Sequence, residues 1–130
     1  MKLEKADIDA ISNLGLSHIG DCVWEILVLA RLSSLGENTV GGLHKKTFSM
    51  VNAPYQAGCV DLLLPMLTEE ELTYYRRGKN AHVHAVPKAA TPAQYAKATG
   101  LEALFGYLWL SGQTGRINQL FHAVMEQVQL

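Results

Sequence analysis

Helix start and stop signals recur along the whole chain, and no stretch alternates apolar and polar residues as a half-buried strand would. Residues 4–12 fit a short helix. From about Leu16 to Ser34 runs a longer one, with Ile19, Val23, Ile26, Leu27, Ala30 and Leu35 spaced as a buried stripe, and Gly36 stops it. Thr39 can cap a helix carrying Leu43, Thr47, Met50 and Val51. Ala53–Leu67 reads as another, with Pro54 suited to its first turn and Pro65 near its end. Thr68 and Glu71 form a capping-box pattern that starts a helix through Tyr74, Tyr75 and Arg77, broken by Gly78. Lys79–Ala90 is a polar connector. Thr91-Pro92 restarts a helix to about Leu110, Ser111-Gly112 ends it, and Arg116–Val128 forms the last. The expected class is all-α.

At 130 residues with 48% hydrophobic and 18% charged side chains, the chain can bury a core and suffices for one domain, residues 1–130. Its long apolar runs, Ile26–Ala30 and Leu104–Leu110, fall well short of the ~20 residues a membrane span requires. No apolar stretch follows the first lysines, so no secretory signal is expected, and the expected location is cytoplasmic. Cys22 and Cys59 are expected as reduced core residues. The net charge of −1 by itself argues against a strongly basic nucleic-acid binder, but the charges are unevenly placed. No acid lies between Glu71 and Glu102, whereas Arg76, Arg77, Lys79, Lys88 and Lys97 do, so a neutral total can hide one basic face.

The two most apolar helices each carry a carboxylate: Asp21 within Ile19–Ala30 and Glu102 within Gly100–Leu110. A carboxylate in such surroundings must face a polar cleft, pair with a cation, bind a metal or stay protonated. Small neighbours (Gly20, Gly100, Ala103 and Gly106) would let the two helices approach until Asp21 and Glu102 meet. Ser17 and Thr99, one turn back, add oxygen atoms. Such a set suits a hard divalent cation, which can activate water for phosphodiester hydrolysis. The alternative pairs Asp21 with His18 or an arginine and lets Glu102 reach solvent.

Other candidates carry less. His82-Val-His84 has no third metal ligand in sequence and reads as a polar loop. Cys22 has no positioned base. Trp24, Phe105, Tyr107 and Trp109 sit at helical spacing, as core or dimer interface. Gly41-Gly42 lacks the Lys-Ser/Thr of a phosphate loop. Of Tyr74 and Tyr75, one is expected to pack and one to be exposed.

The segments His18-Ile-Gly-Asp21-Cys-Val-Trp-Glu25 and Ala98-Thr-Gly-Leu-Glu102-Ala-Leu-Phe-Gly-Tyr-Leu-Trp-Leu110 resemble the two catalytic helices of the ribonuclease III family. Leu43–Lys46, Leu64–Glu71, Arg76–Ala81, Val86–Lys88 and Tyr107–Gln113 follow in the order of that family's short branch, Mini-ribonuclease III, which lacks a separate double-stranded-RNA-binding domain. The resemblance implies an α-helical homodimer that cleaves double-stranded RNA with Mg2+, or Mn2+ in its place, leaving 5′-phosphate and 3′-hydroxyl ends. It implies Asp21 and Glu102 as the catalytic, metal-holding carboxylates. It further implies a role in maturing large-subunit (23S) ribosomal RNA.

The longer members usually carry carboxylates where this chain has Leu14, Ser17 and Thr99, so fewer protein ligands are expected here. Ser17, Glu25 and Thr99 are candidates for a supporting shell. With no separate binding domain, RNA contacts fall to Arg76, Arg77, Lys79, Asn80 and Lys88, with His44, Lys45 and Lys46 as a second patch. The rival expectations are a non-catalytic protein of the same fold that binds structured RNA or the ribosome, and a helical adaptor whose apolar helices serve only to dimerise.

Overall fold

The computed structural model of the protein describes residues 2–81 and 89–128. His82, His84 and Lys88 lie outside the described residues. Among the described residues there are helices and no strand, as the sequence predicts. The seven helices are α1 (Lys5–Asp9), α2 (Asn13–Ser34), α3 (Val40–Phe48), α4 (Ala53–Leu63), α5 (Glu69–Lys79), α6 (Pro92–Leu110) and α7 (Thr114–Val128), with a single 3-10 turn at Leu64–Met66.

The predicted caps at Thr39 and Thr68 are in place, and Thr91, where a helix is expected to restart, is a cap as well. Thr39, Thr68 and Thr91 each accept from the backbone three residues on, the latter two in complete capping boxes with Glu71 and Gln94. Gly36 and Gly112, at φ 103° and 76°, end α2 and α6 in the left-handed region open to glycine. Several boundaries differ from expectation: α1 stops at Asp9, α3 stops at Phe48 short of Met50 and Val51, and α7 starts at Thr114 rather than Arg116. Helix α2 begins at Asn13, because the Ser12 hydroxyl accepts from the Gly15 backbone and caps it. The segment after Leu63 tightens into the 3-10 turn, where Pro65 has no amide hydrogen to continue the helix. Gly78 does not break α5, which runs on to Lys79.

Helix α6 is buried on nearly every side from Ala98 to Leu108, and α2, α4 and α5 pack around it. Trp24 of α2 closes the centre. Its ring stands edge-on to Phe105 and Phe121, each 5.3 Å away, and its indole donates to the Met50 carbonyl at 2.9 Å.

The buried face of α2 is Leu16, Ser17, Gly20, Val23, Trp24, Val28 and Leu32. That face is rotated from the predicted stripe, because the helix turns its glycine rather than its largest aliphatics towards α6. Ile26 is 59% exposed, and Cys22, expected in the core, is exposed beside it. Cys59 is buried as expected. Tyr74 and Tyr75 are both buried, correcting the expectation that one would face solvent. Tyr74 stacks on Tyr107 with centroids 3.8 Å apart, and its hydroxyl donates to Asp9 at 2.6 Å.

Candidate active site

The close approach of α2 and α6 sets the geometry. A Cβ on Gly20 would lie 1.5 Å from the Glu102 carbonyl oxygen, and one on Gly106 would lie 2.3 Å from that of Leu16. Only glycine fits at either point. Gly100 and Ala103, grouped with them from sequence, serve α5 instead. A Cβ on Gly100 would meet Tyr75, and one on Gly78 would come within 2.7 Å of the Ala103 methyl and 2.4 Å of the Thr99 carbonyl oxygen.

Held this way, Asp21 and Glu102 line one open cavity of about 500 Å3, with Ser17, His18, Asn52, Gln56, Tyr95 and Thr99 also in its wall. Glu102 is the more enclosed. Burial first, and then the hydrogen bond and charge of Asp21 beside it, push its carboxyl up to about 9. The alternative in which Glu102 simply reaches solvent at a helix edge does not hold.

Ser17 and Thr99 are buried in the cavity wall, and their hydroxyl protons are already committed. Ser17 donates to the Thr99 carbonyl at 2.9 Å, tying α2 to α6, and Thr99 donates to the Tyr95 carbonyl at 2.8 Å. Glu25 stands elsewhere. It is exposed and lines a second cavity between α2 and α3 with Leu29, Val40, His44 and Phe48. Among the described residues no group of three His, Cys, Asp or Glu side chains converges on one point, so the site rests on two acids.

The basic candidates divide by their partners. Arg77 is engaged inside the fold. Its Nε donates to Asn13 at 2.7 Å, it also donates to the Ile11 carbonyl, and its guanidinium lies 5.8 Å from the Tyr74 ring centroid. Lys46 pairs with Glu37 at 2.8 Å. Among the described residues Lys45, Arg76 and Lys79 are exposed without an ion pair. His44 is exposed at the second cavity, and Asn80 is the exposed residue that ends α5.

Sequence reasoning missed Gln56. It is 2% exposed, yet its amide reaches the cavity wall from a face of α4 otherwise made of Ala57, Cys59, Val60 and Leu63. The signal that singled out Asp21 and Glu102, a polar residue at an apolar helical position, applied there too.

Comparison with known proteins places the chain in a family. The chain matches the ribonuclease III domain over residues 14–113. It is 41% identical over 116 residues to the Mini-ribonuclease 3 of Symbiobacterium thermophilum, covering 89% of each chain. To that of Enterococcus faecalis it is 37% identical over 124 residues, covering 94% of each. A crystal structure of a Fusobacterium nucleatum protein matches with a TM-score of 0.81 at 30% identity, covering 93% of this chain and 97% of that one. Fold and matches together define an endoribonuclease of the ribonuclease III type. The chain belongs to the ribonuclease III family, in its short Mini-ribonuclease III branch.

Proposed function

We propose that residues 1–130 form one catalytic domain that hydrolyses phosphodiesters in double-stranded RNA with a divalent cation. The observation that carries this reading is the meeting of Asp21 and Glu102 across the glycine contact of α2 and α6, in the wall of an open cavity. The donor set fits magnesium, which takes one or two protein carboxylates and fills its shell with water and substrate phosphate. Manganese fits the same oxygen ligands. The bound cation supplies an activated water and charge for the leaving oxygen, giving 5′-phosphate and 3′-hydroxyl ends.

The chain's own part is to hold and to aim. Asp21 and Glu102 hold the cation, for which Glu102 must give up its proton. Ser17 fixes the two helices in register through the Thr99 carbonyl, so the carboxylates keep their spacing. Lys45, Arg76 and Lys79 offer free charge to the phosphates, helped by His44, Lys46, Asn80 and Lys88. Arg77 acts mainly from within the fold. Binding through phosphates alone should fall steeply as salt is raised.

The natural substrate is double-stranded precursor of 23S ribosomal RNA, processed in the cytoplasm by a homodimer. Supporting the dimer is an exposed apolar surface next to the carboxylates, made by Ile19, Cys22, Ile26 and Trp109. The test incubates a labelled RNA duplex with the protein in magnesium, beside EDTA and Glu102→Gln controls. Cutting that needs the metal and vanishes in the variant, while the variant still shifts the duplex on a gel, is expected. A duplex that is shifted but never cut, with either metal and with precursor RNA, would overturn it.

A further inference from the structure

Gln56 stands out among the polar side chains of the interior. It is 2% exposed, and its Nε2 is buried with no hydrogen-bond partner. Burying an amide donor without an acceptor costs stability, so an unsatisfied one calls for a physical reason. The other such atom among the described residues, Thr47 Oγ1, lies at the second cavity, away from the carboxylates. The Gln56 amide, by contrast, is in the same wall as Asp21 and Glu102, near enough to Glu102 to favour its ionised form without closing a hydrogen bond.

An amide nitrogen is a donor only, and a carboxylate holding a cation through one oxygen has the other free to accept. Carboxylate ligands of metals are themselves held by hydrogen bonds, and losing such a partner typically costs about 10–100-fold in metal affinity or activity. Gln56 has the reach, the burial and the spare donor for that role, and no other described residue of the cavity wall offers a buried donor without a partner. Asn52, the other amide there, spends its nitrogen on the Phe48 and Ser49 carbonyls and its oxygen on capping α4.

We propose that Gln56 is the positioning residue of the cation site, its Nε2 donating to the Glu102 carboxylate when that carboxylate holds a divalent cation. The inference rests on the reading of Asp21 and Glu102 as the metal-holding pair. It also accounts for a buried amide without a partner in the wall that Glu102 shares.

The experiment measures Mn2+ binding to the RNA-free protein by electron paramagnetic resonance, and thermal unfolding in EDTA, for wild type and Gln56→Met. Methionine keeps the length and the burial but removes the donor. The Mn2+ dissociation constant should rise about 10–100-fold. The unfolding temperature in EDTA should be equal or higher, because the variant no longer buries an unpaired amide. A purely packing role would move these the other way, lowering the unfolding temperature and leaving Mn2+ affinity alone.

Wild-type affinity in Gln56→Met overturns the proposal while leaving the metal reading intact. A wild-type protein that binds no Mn2+ overturns both. If Gln56→Met does not fold, Gln56→Leu, also without a donor, is read in the same way. Failure of both to fold in EDTA makes Gln56 a packing residue and overturns the proposal.

Discussion

Glu102→Gln should stabilise the metal-free protein, and the gain should grow with pH. Enclosure and the neighbouring Asp21 carboxylate raise the folded-state pKa of Glu102 from 4.5 to about 9. Between those values the folded chain holds a proton that the unfolded chain has released, so the native state loses stability as pH rises. The loss is absent below the unfolded pKa and complete above the folded one. One group titrating in this way contributes about 1.4 kcal/mol per pH unit, or at most about 2.7 kcal/mol between pH 6 and pH 8. Glu102 stands in the wall of an open cavity and is only partly enclosed, so water relieves some of this penalty. Roughly half, about 1–1.5 kcal/mol, is the expected change.

Glutamine has nearly the shape of the protonated acid and cannot ionise, so the variant's stability should lack this slope. Urea unfolding in EDTA at pH 6, 7 and 8 measures it directly. Subtracting variant from wild type removes the contribution of every other titrating group common to both. Magnesium at pH 8 should then restore the wild type and leave the variant unmoved, because only an ionised carboxylate gains a cation. A difference between the two proteins that stays constant from pH 6 to pH 8 would refute the raised pKa, and with it the enclosed meeting of the two acids.

Four further substitutions test the frame. Gly20→Ala places a methyl group 1.5 Å from the Glu102 carbonyl oxygen, so α2 and α6 must separate. A loss of about 3 kcal/mol or more is expected in urea unfolding, together with loss of cutting. Arg77→Ala removes donors to Asn13 and Ile11 and should cost about 1–3 kcal/mol. Arg76→Ala, at an exposed position, should stay within ~0.5 kcal/mol yet weaken the duplex gel shift. Ile26→Asp puts a charge in the exposed apolar patch with Trp109, which is 50% exposed, and should halve the mass seen by light scattering. An unchanged mass would exclude that patch as the dimer contact.

What the sequence made legible was local chemistry with short reach. Thr39, Thr68 and Thr91 each needed only the next three residues to define a cap, and each is a cap. Asp21 and Glu102 were legible for a different reason, since a carboxylate at an apolar helical position requires a partner wherever the chain goes. The same requirement applied to Gln56, but an uncharged amide in a short helix stands out less against its neighbours than a carboxylate does. Gly78 shows the limit of local reading. Its position invites a helix stop, whereas it is retained inside α5 because the Thr99 carbonyl of α6 leaves no room for a side chain. A residue 21 positions along the chain decides that, and nothing in the local pattern carries it.

The misplaced stripe of α2 has a physical cause of its own. Helical spacing reports that a residue shuns water and says nothing of which surface it shuns water against. Val23 meets its own core, while Ile26 and Cys22, at apolar positions of the same helix, lie outside it beside Trp109. A face that a second copy covers obeys the same period as one covered by α6, so the sequence merges the two into a single stripe. The glycine contact separates them. Because Gly20 and Gly106 must face each other, the rotation of α2 is fixed, and that rotation turns Asp21 to the cavity and Ile26 to the outside. The candidate active site and the candidate dimer surface are therefore set by one contact. A change at Gly20 should disturb both together, whereas Ile26→Asp should disturb association and leave the carboxylate pair in place.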